Sequence, residues 1–497
     1  MSEVIQVEQL NAVNLKVIAD PGTRQEIAEY FSFKPNGYQF NPAYKNRLWD
    51  GVIRLYQPLR PTLYVGLFPR LKKFCEDRGY ELQAPNHLMY GEDIPDDYGY
   101  QLAEEINCKF KPRDYQNQYI VDAIRDSRSL SLSPTSSGKS LIIYLIQQHY
   151  YRVYEHRTLI IVPTISLVHQ MAGDFVDYGC DKNLIYKIQG GIDKNTDAPI
   201  VISTWQSLIK LPKEWFSQFK VVLGDEAHLF QAKSLQKIME GLDECYYRHG
   251  FTGTLKSEES KTHRLVLEGC FGAVRKHVST KDLIDSGTVA EFNVKAIVLS
   301  HQPENRKKFR DALKQVSQAS KKYHAEREFI VNNQKRNLFI RNLLWSLEGQ
   351  NNLVLFDLVE KHGKILEPLL QKEDRELHFI YGGTDGEERE RIRHLVENDP
   401  IKRHNILASY GVFSTGVNLK KLDNVIFASG SKSEVKVLQS IGRALRKGND
   451  ADKATLYDIA DDLSIGSFEN YTLQHFRKRI EIYGQEQFAV KIYTVEI

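Results

Sequence analysis

Two series of short apolar runs, each closed by polar residues, restrict the folds open to this chain. The first comprises Thr158-Leu159-Ile160-Ile161-Val162, Pro199-Ile200-Val201-Ile202-Ser203 and Val221-Val222-Leu223-Gly224. The second comprises Leu353-Val354-Leu355-Phe356, His378-Phe379-Ile380-Tyr381, Asn405-Ile406-Leu407-Ala408 and Asn424-Val425-Ile426-Phe427. A strand with one wet face alternates apolar and polar residues, whereas a strand apolar throughout is covered on both faces. Parallel sheets flanked by helices require the second kind. The spacing therefore predicts an α/β chain with two parallel-sheet domains, and their ligands should gather where strands end in polar residues.

The 497 residues exceed what one core can hold. Residues 1–90 read as a small α+β domain, with strands at Val4–Val7 and Leu15–Ile18 and a helix over Arg24–Phe31. The acidic, turn-rich stretch from Gly91 to Asp97 places a linker at 91–110. The two α/β domains are expected at 111–300 and 346–462, separated by a basic helical segment at 301–345. A helical segment is expected at 463–497.

The five cysteines, Cys75, Cys108, Cys180, Cys245 and Cys270, form no CxxC pair, which argues against a zinc finger and a disulfide framework. No run of about 18 apolar residues is present, and the start lacks the features of a secretory signal, so a soluble cytoplasmic protein is expected. A net charge of only +3 means that any nucleic-acid surface must come from local clustering.

Ser133-Pro134-Thr135-Ser136-Ser137-Gly138-Lys139-Ser140 precedes an apolar helix. Backbone N–H groups around Ser136, Ser137 and Gly138 can point at phosphate oxygens, aided by the positive end of that helix. Lys139 should reach the β and γ phosphates of ATP, and the Ser140 hydroxyl should ligate Mg2+. The usual pattern opens on Gly or Ala; this one opens on Ser133. Asp225 and Glu226 lie 86 and 87 residues beyond Lys139, directly after an apolar run. Asp225 is suited to hold the metal and Glu226 to polarise a water. Arg113 and Gln116, upstream of the loop, can stack on adenine and read its edge. Arg443 and Arg446 share one helix face with Gln439 near, and guanidinium groups so placed can neutralise a transferring phosphoryl group.

In this order, these stretches resemble the motifs of superfamily 2 helicases and translocases over residues 111–460. Gln116 falls on the adenine motif, Ser133 to Ser140 on motif I, Asp225-Glu226-Ala227-His228 on motif II and Thr252-Gly253-Thr254 on motif III. Ser414 to Asn418 falls on motif V and Gln439 to Arg446 on motif VI. The resemblance implies two RecA-like domains with ATP between them and a nucleic-acid strand crossing both. It assigns nucleotide contact to Gly416 and coupling to His228, Thr252 and Thr254. It assigns strand contact to Thr164, Gln170, Thr204, Gln206, Gly382, Gly383 and Thr415; taken alone, Thr164 and Thr204 read as strand-end caps.

Outside the motifs, Phe31-Ser32-Phe33, Trp49-Asp50-Gly51, Lys213 to Phe219 and Ser409 to Gly416 look like the recombination and repair helicases of T-even phages. That likeness implies a monomeric, DNA-stimulated ATPase of the infected host cytoplasm. Its expected substrates are branched, forked or R-loop DNA, which it unwinds or branch-migrates, with an RNA–DNA hybrid as a further partner. A duplex translocase that leaves strands paired, or an RNA-directed helicase, stays open beside it. A restriction-nuclease motor is disfavoured, because residues 1–90 contain no D…ExK pattern.

Residues 31–73 carry eight cations, among them Lys45, Arg47 and Arg54, against the single acid Asp50, interleaved with aromatics. That mixture suits phosphate contact with base stacking; the plainer reading makes the aromatics core and the cations solubilising. Residues 304–345 carry eleven cations against four acids, which fits either a solvated helical face or a duplex grip.

Overall fold

Parallel pairing, predicted from the apolar runs, occurs in two separate sheets of the computed structural model. It describes residues 3–35, 37–255, 261–288, 291–316, 318–373, 375–399, 404–415, 422–429 and 453–497. Two compact units are present, dividing near Val278 and Ser279.

The first unit begins with β1 (Val4–Gln9), β2 (Asn14–Ile18), β3 (Ser32–Phe33), β4 (Ile53–Arg54), β5 (Thr62–Tyr64) and β6 (Glu81–Gln83). Four of these form a sheet in the order β5-β2-β1-β6, while β3 and β4 pair as a separate antiparallel ribbon. Ile5, Val7, Leu15 and Val17 alternate with wetter residues, so one face is apolar. Helices Pro21–Tyr30 and Phe68–Arg78 cover that face with Ile27, Leu71 and Phe74. The Asp20 carboxylate caps the first helix by accepting from the Gly22 and Thr23 N–H groups. The second helix ends at Gly79 in the left-handed conformation.

A seven-stranded sheet follows: β7 (Arg128–Leu132), β8 (Thr158–Val162), β9 (Ile185–Ile188), β10 (Ile200–Thr204), β11 (Val221–Asp225), β12 (Tyr247–Thr252) and β13 (Val274–Arg275). Its order is β13-β7-β12-β11-β8-β10-β9, and neighbours run parallel throughout.

In the second unit a parallel sheet comprises β14 (Glu291–Ser300), β15 (Asn352–Phe356), β16 (Leu377–Ile380), β17 (Asn405–Ser409), β18 (Asn424–Phe427), β19 (Lys453–Asp462) and β20 (Ala489–Glu496). The order is β16-β17-β15-β18-β19-β14-β20. Both sheets have the RecA-like motor architecture.

The structure draws the boundaries differently from the sequence reading in three places. The 91–110 stretch is not a free linker. It holds the helix Tyr98–Glu105 and is tied down where Asn117 Nδ2 donates to the Asp96 carbonyl at 2.6 Å and Tyr98 Oη meets His149 Nδ1 at 2.8 Å. Residues 291–300, expected in the first motor domain, form β14 between β19 and β20 of the second sheet. The C-terminal segment contains the expected helix, Tyr471–Gln485, and then the edge strand β20. Glu326 fixes the start of that helix, accepting from the Tyr471 and Thr472 N–H groups at 2.9 and 2.6 Å. A carboxylate at a helix N-terminus is favoured by the helix dipole and by the orphan N–H groups there.

Candidate nucleotide site and nucleic-acid contacts

Strand order brings the motifs together. Reading along the carboxyl edge of the first sheet, β7 leads into the phosphate loop, β12 ends at Thr252, and β11 ends at Asp225. Three segments separated by up to about 120 residues thus end side by side. The Ser133 N–H donates to the Thr252 carbonyl at 2.9 Å, joining the loop's first residue to β12. Ser133 is fully buried, so the position that departs from the usual Gly or Ala is part of the packed base of the loop.

The loop's conformation follows from two residues with positive φ. Ser136 sits at 68° and Gly138 at 78°, a backbone that turns successive N–H groups toward one point. The helix Lys139–Tyr154 starts directly after Gly138. Lys139 Nζ donates to the Ser133 and Pro134 carbonyls at 3.2 and 3.1 Å, so the ammonium lies over the loop. Ser140 lies in the first turn of that helix.

Gln116 is placed differently from the simple adenine-reading expectation. Its side chain is buried; Oε1 accepts from the Arg113 N–H at 2.8 Å, and Nε2 donates to the Gly138 carbonyl at 3.4 Å. It therefore caps the helix Asp114–Asp126 and stitches that helix to the phosphate loop. Arg113 is exposed, with Nη1 on Tyr115 Oη at 3.1 Å.

Asp225 and Glu226 form the acidic half of the site. Burial, then the adjacent Glu226 charge, pushes the Asp225 carboxyl up to about 6, against the pull of Lys139. Asp225 Oδ1 has no hydrogen-bond partner among the described residues. Glu226 occupies the left-handed region at φ 50°, an uncommon conformation for a residue with a side chain. His228 Nδ1 lies 3.2 Å from Glu226 Oε2 and 3.0 Å from Thr252 Oγ1. The Thr252 hydroxyl donates to the Thr254 carbonyl at 3.0 Å. With its one proton spent there, Thr252 must accept from His228, which assigns the imidazole proton to Nδ1. The three residues expected to couple, His228, Thr252 and Thr254, thus form one connected path from Glu226.

The next two strands along the same edge are β8 and β10. Thr164 caps the helix Ile165–Tyr178, accepting from the Leu167 N–H at 3.4 Å, and Thr204 Oγ1 meets Ser207 Oγ at 3.1 Å. The cap reading therefore describes Thr164, whereas Thr204 stands at the N-cap position of Trp205–Leu208 without a side-chain bond to its N–H groups; Gln170 and Gln206 are exposed beside them. In the second sheet Gly382 and Gly383 form an exposed turn after β16. Thr415 ends the helix Tyr410–Thr415, which follows β17. Gly416, Gln439, Arg443 and Arg446 lie outside the described residues.

The basic–aromatic segment divides between both of its readings. Phe31 and Tyr56 are core, while Phe40 is 72% exposed. Lys45 and Arg47 are exposed around a surface cavity of about 440 Å³ shared with Gln39, Tyr44 and Trp49. Arg54 is paired with Asp50 at 2.5 Å, and this bond holds the Asp50 carboxyl down at about 2. Arg70, partly exposed, is paired with the buried Glu268. The 304–345 segment likewise holds cations in internal contacts. Arg336 is buried on Asp461 and the Ala428 carbonyl, and Arg306, partly buried, donates to the His301 and Ser464 carbonyls.

Sequence reasoning missed the buried charges of β19. Asp458 receives a bidentate contact from Arg479 and a hydrogen bond from Tyr483, and Asp461 receives His301 and Arg336. Burial opposes the Asp461 charge, but Arg336 and His301 more than offset it and hold the carboxyl below its ordinary range. The run Asp458 to Asp462 is the only sequence signal, since an acidic strand end inside an α/β sheet needs partners.

Order, fold and site together define a superfamily 2 helicase. Family models match three parts of the chain: a type III restriction enzyme res subunit at 109–257, a helicase conserved C-terminal domain at 334–448, and the N-terminal domain of the DNA helicase UvsW at 5–84. The ATP-dependent DNA helicase UvsW of Enterobacteria phage T4 is 36% identical over 97% of this chain and 98% of its own length. The crystal structure of T4 UvsW covers 99% of both chains at 33% identity and a TM-score of 0.51. A DNA 3'-5' translocase, XPB2 of Sulfurisphaera tokodaii, is 22% identical over 76% of this chain and 86% of its own. The chain belongs to the UvsW family of ATP-dependent DNA helicases.

Proposed function

We propose that this chain hydrolyses ATP to unwind or branch-migrate branched, forked and R-loop DNA, as a monomer in the cytoplasm of an infected host. The observation that carries the reading is the path Glu226–His228–Thr252–Thr254, set beside the phosphate loop by strand order. A hydrolysing residue and a coupling segment that share hydrogen bonds can change together when the nucleotide changes.

In this reading Lys139 and the loop N–H groups bind the ATP phosphates, Arg113 and Tyr115 border the base, and Glu226 orients the attacking water. The site also fits Mg2+. Asp225 carries a carboxylate oxygen with no partner among the described residues, in a setting that disfavours its negative charge. Asp225 and Ser140 would hold the ion, which supplies positive charge to the phosphate oxygens. Arg443 and Arg446 are the expected cations for the transferring phosphoryl group. Gln170, Gln206 and the Gly382-Gly383 turn are the exposed groups suited to the sugar-phosphate backbone.

The test compares ATPase and strand-displacement rates on single-stranded, duplex, forked, four-way and RNA–DNA substrates. Branched DNA should stimulate turnover and be remodelled, and Lys139→Ala should lower turnover by about 100-fold or more. Turnover on duplex DNA with no strand or branch movement would leave a translocase instead. Stimulation by RNA alone would redirect the reading to RNA.

A further inference from the structure

The described residues of motifs I, II and III lie at the carboxyl edge of the first sheet, but a separate cluster sits at the amino edge of the second one. Glu376 immediately precedes β16, His378 lies on it, and His404 immediately precedes β17. The register pairs His378 with Ile406 and Leu377 with Asn405, and the Asn405 N–H donates to the Glu376 carbonyl at 3.3 Å. Glu376 and His378 are two residues apart, as are His404 and Ile406, so all three side chains share one face.

Both imidazoles are buried, at 5% and 1% exposure, and His378 Nε2 stands 3.2 Å from His404 Nδ1. One ligand atom from each of the three residues lies within 4.8 Å of the others. Tetrahedral zinc with bonds of about 2.0–2.1 Å separates its ligand nitrogens by about 3.3 Å, so the two imidazoles already have the required spacing. Behind His404, Asp399 Oδ2 lies 3.8 Å from Nε2, the nitrogen facing away from His378. A carboxylate at the far nitrogen is how proteins orient metal-bound histidine. A hydrogen bond between the rings accounts for the two histidines, and Glu376 Oε1, 3.8 Å from His378 Nδ1, adds a carboxylate donor on the same face to make a three-residue ligand set.

We propose that Glu376, His378 and His404 form a binding site for a borderline divalent transition metal, with zinc the best match, and that Asp399 positions His404. Two imidazoles and one carboxylate select such ions over magnesium, which prefers oxygen ligands and retains its waters. The site is thus chemically distinct from that of Asp225 and Ser140. Bound metal joins the start of β16 to the start of β17, and binding the folded state alone raises stability.

The experiment uses the full chain, stripped with EDTA, desalted, and titrated with Zn2+ and with Co2+ as a spectroscopic probe. The expected result is one equivalent taken up at micromolar metal, a rise in Tm that saturates at that equivalent, and the visible absorption of a low-coordinate Co2+ site. Millimolar Mg2+ should not compete. His378→Gln and His404→Gln should abolish uptake. Asp399→Asn should weaken it by about 10–100-fold. Glu376→Gln, at an exposed position, should weaken it with an unchanged circular-dichroism spectrum, which keeps the test decisive if a histidine variant misfolds. Absence of saturable uptake by the native chain would overturn the proposal. So would equal affinity in Glu376→Gln and Asp399→Asn, or uptake lost in Asp225→Asn instead.

Discussion

Single atoms set the chemistry of the nucleotide site. A Cβ on Gly138 would stand 2.4 Å from Gln116 Nε2, so glycine is required there both for its φ of 78° and for the amide packed against it. The Asp225 carboxyl is the most informative group for pH. Its folded value of about 6 lies above the ordinary 3.8, so the neutral form is the one the fold favours. That preference contributes fully below about 3.8 and is lost as pH rises through about 6. In EDTA and without nucleotide, Asp225→Asn should therefore be more stable than the native chain at pH 8, by on the order of 1–2 kcal/mol, with the gap closing toward pH 4. Urea melts of both proteins across that range measure it, and a gap independent of pH would refute the assignment. ATPase activity should be lost in the same variant. The candidate residue types were legible in sequence because phosphate and metal binding demand a lysine, a hydroxyl and carboxylates at strand ends. The Gln116 contacts were not, because an amide offers the same donor and acceptor to adenine as to a neighbouring helix.

Secondary elements show how the N-terminal domain is held on the first motor sheet. The helix Lys261–Phe271 runs so close to Gly66 that a Cβ there would meet the Glu268 carbonyl at 2.1 Å. Glu268, nearly buried, takes Arg70 from the N-terminal domain and Arg264 from its own helix, and Leu265 enters the N-terminal core. Tyr64 Oη adds a 2.7 Å hydrogen bond to Glu240, and the Ala12 N–H donates to the Asp243 carbonyl at 2.8 Å. Replacing Glu268 by Ala leaves Arg70 and Arg264 without their shared carboxylate, and should cost about 3 kcal/mol. Thermal melts and limited proteolysis between residues 84 and 97 would show it, with Glu268→Gln intermediate. Unchanged melting and cleavage would mean that apolar contacts alone hold the domain. The strands readable in sequence were those that are apolar runs; β7 and β12 are buried too, but Arg128, Ser129 and Ser131 interrupt the one and Arg248 and His249 the other. β20 was not readable either, since it is mostly exposed and carries no apolar run. Its place comes from pairing with β14, almost 200 residues earlier, and local sequence does not encode so distant a register.

Across the whole molecule, a net charge of +3 hides an uneven distribution, and the structure sorts which cations are available to DNA. Arg306 and Arg336 are held by carbonyls and carboxylates of their own unit, and Arg327 lies on Asp357. Such groups cannot release counterions from a DNA backbone without first breaking internal bonds. In the N-terminal domain Lys34, Lys45, Arg47 and Arg60 are exposed, and Lys34 and Lys45 lie over the Tyr38 and Phe40 rings at 5.2 and 6.0 Å. A cation placed over an exposed ring presents charge and a stacking face together, which suits a junction where paired and unpaired bases meet. Each phosphate contact contributes about 0.9 to the salt slope of duplex binding. The triple variant Lys45→Ala, Arg47→Ala, Arg60→Ala should therefore lower the slope of log affinity against log salt by about 2–3 on a four-way junction. Arg54→Ala is the internal comparison: its guanidinium is already paired with Asp50, so the slope should change by less than one contact's worth. ATP turnover on saturating single-stranded DNA should stay near that of the native chain in both, because neither change touches the phosphate loop or Glu226. A native slope in the triple variant would assign junction binding to the motor sheets alone, and a loss of basal turnover would show that the N-terminal cations act on hydrolysis rather than on grip.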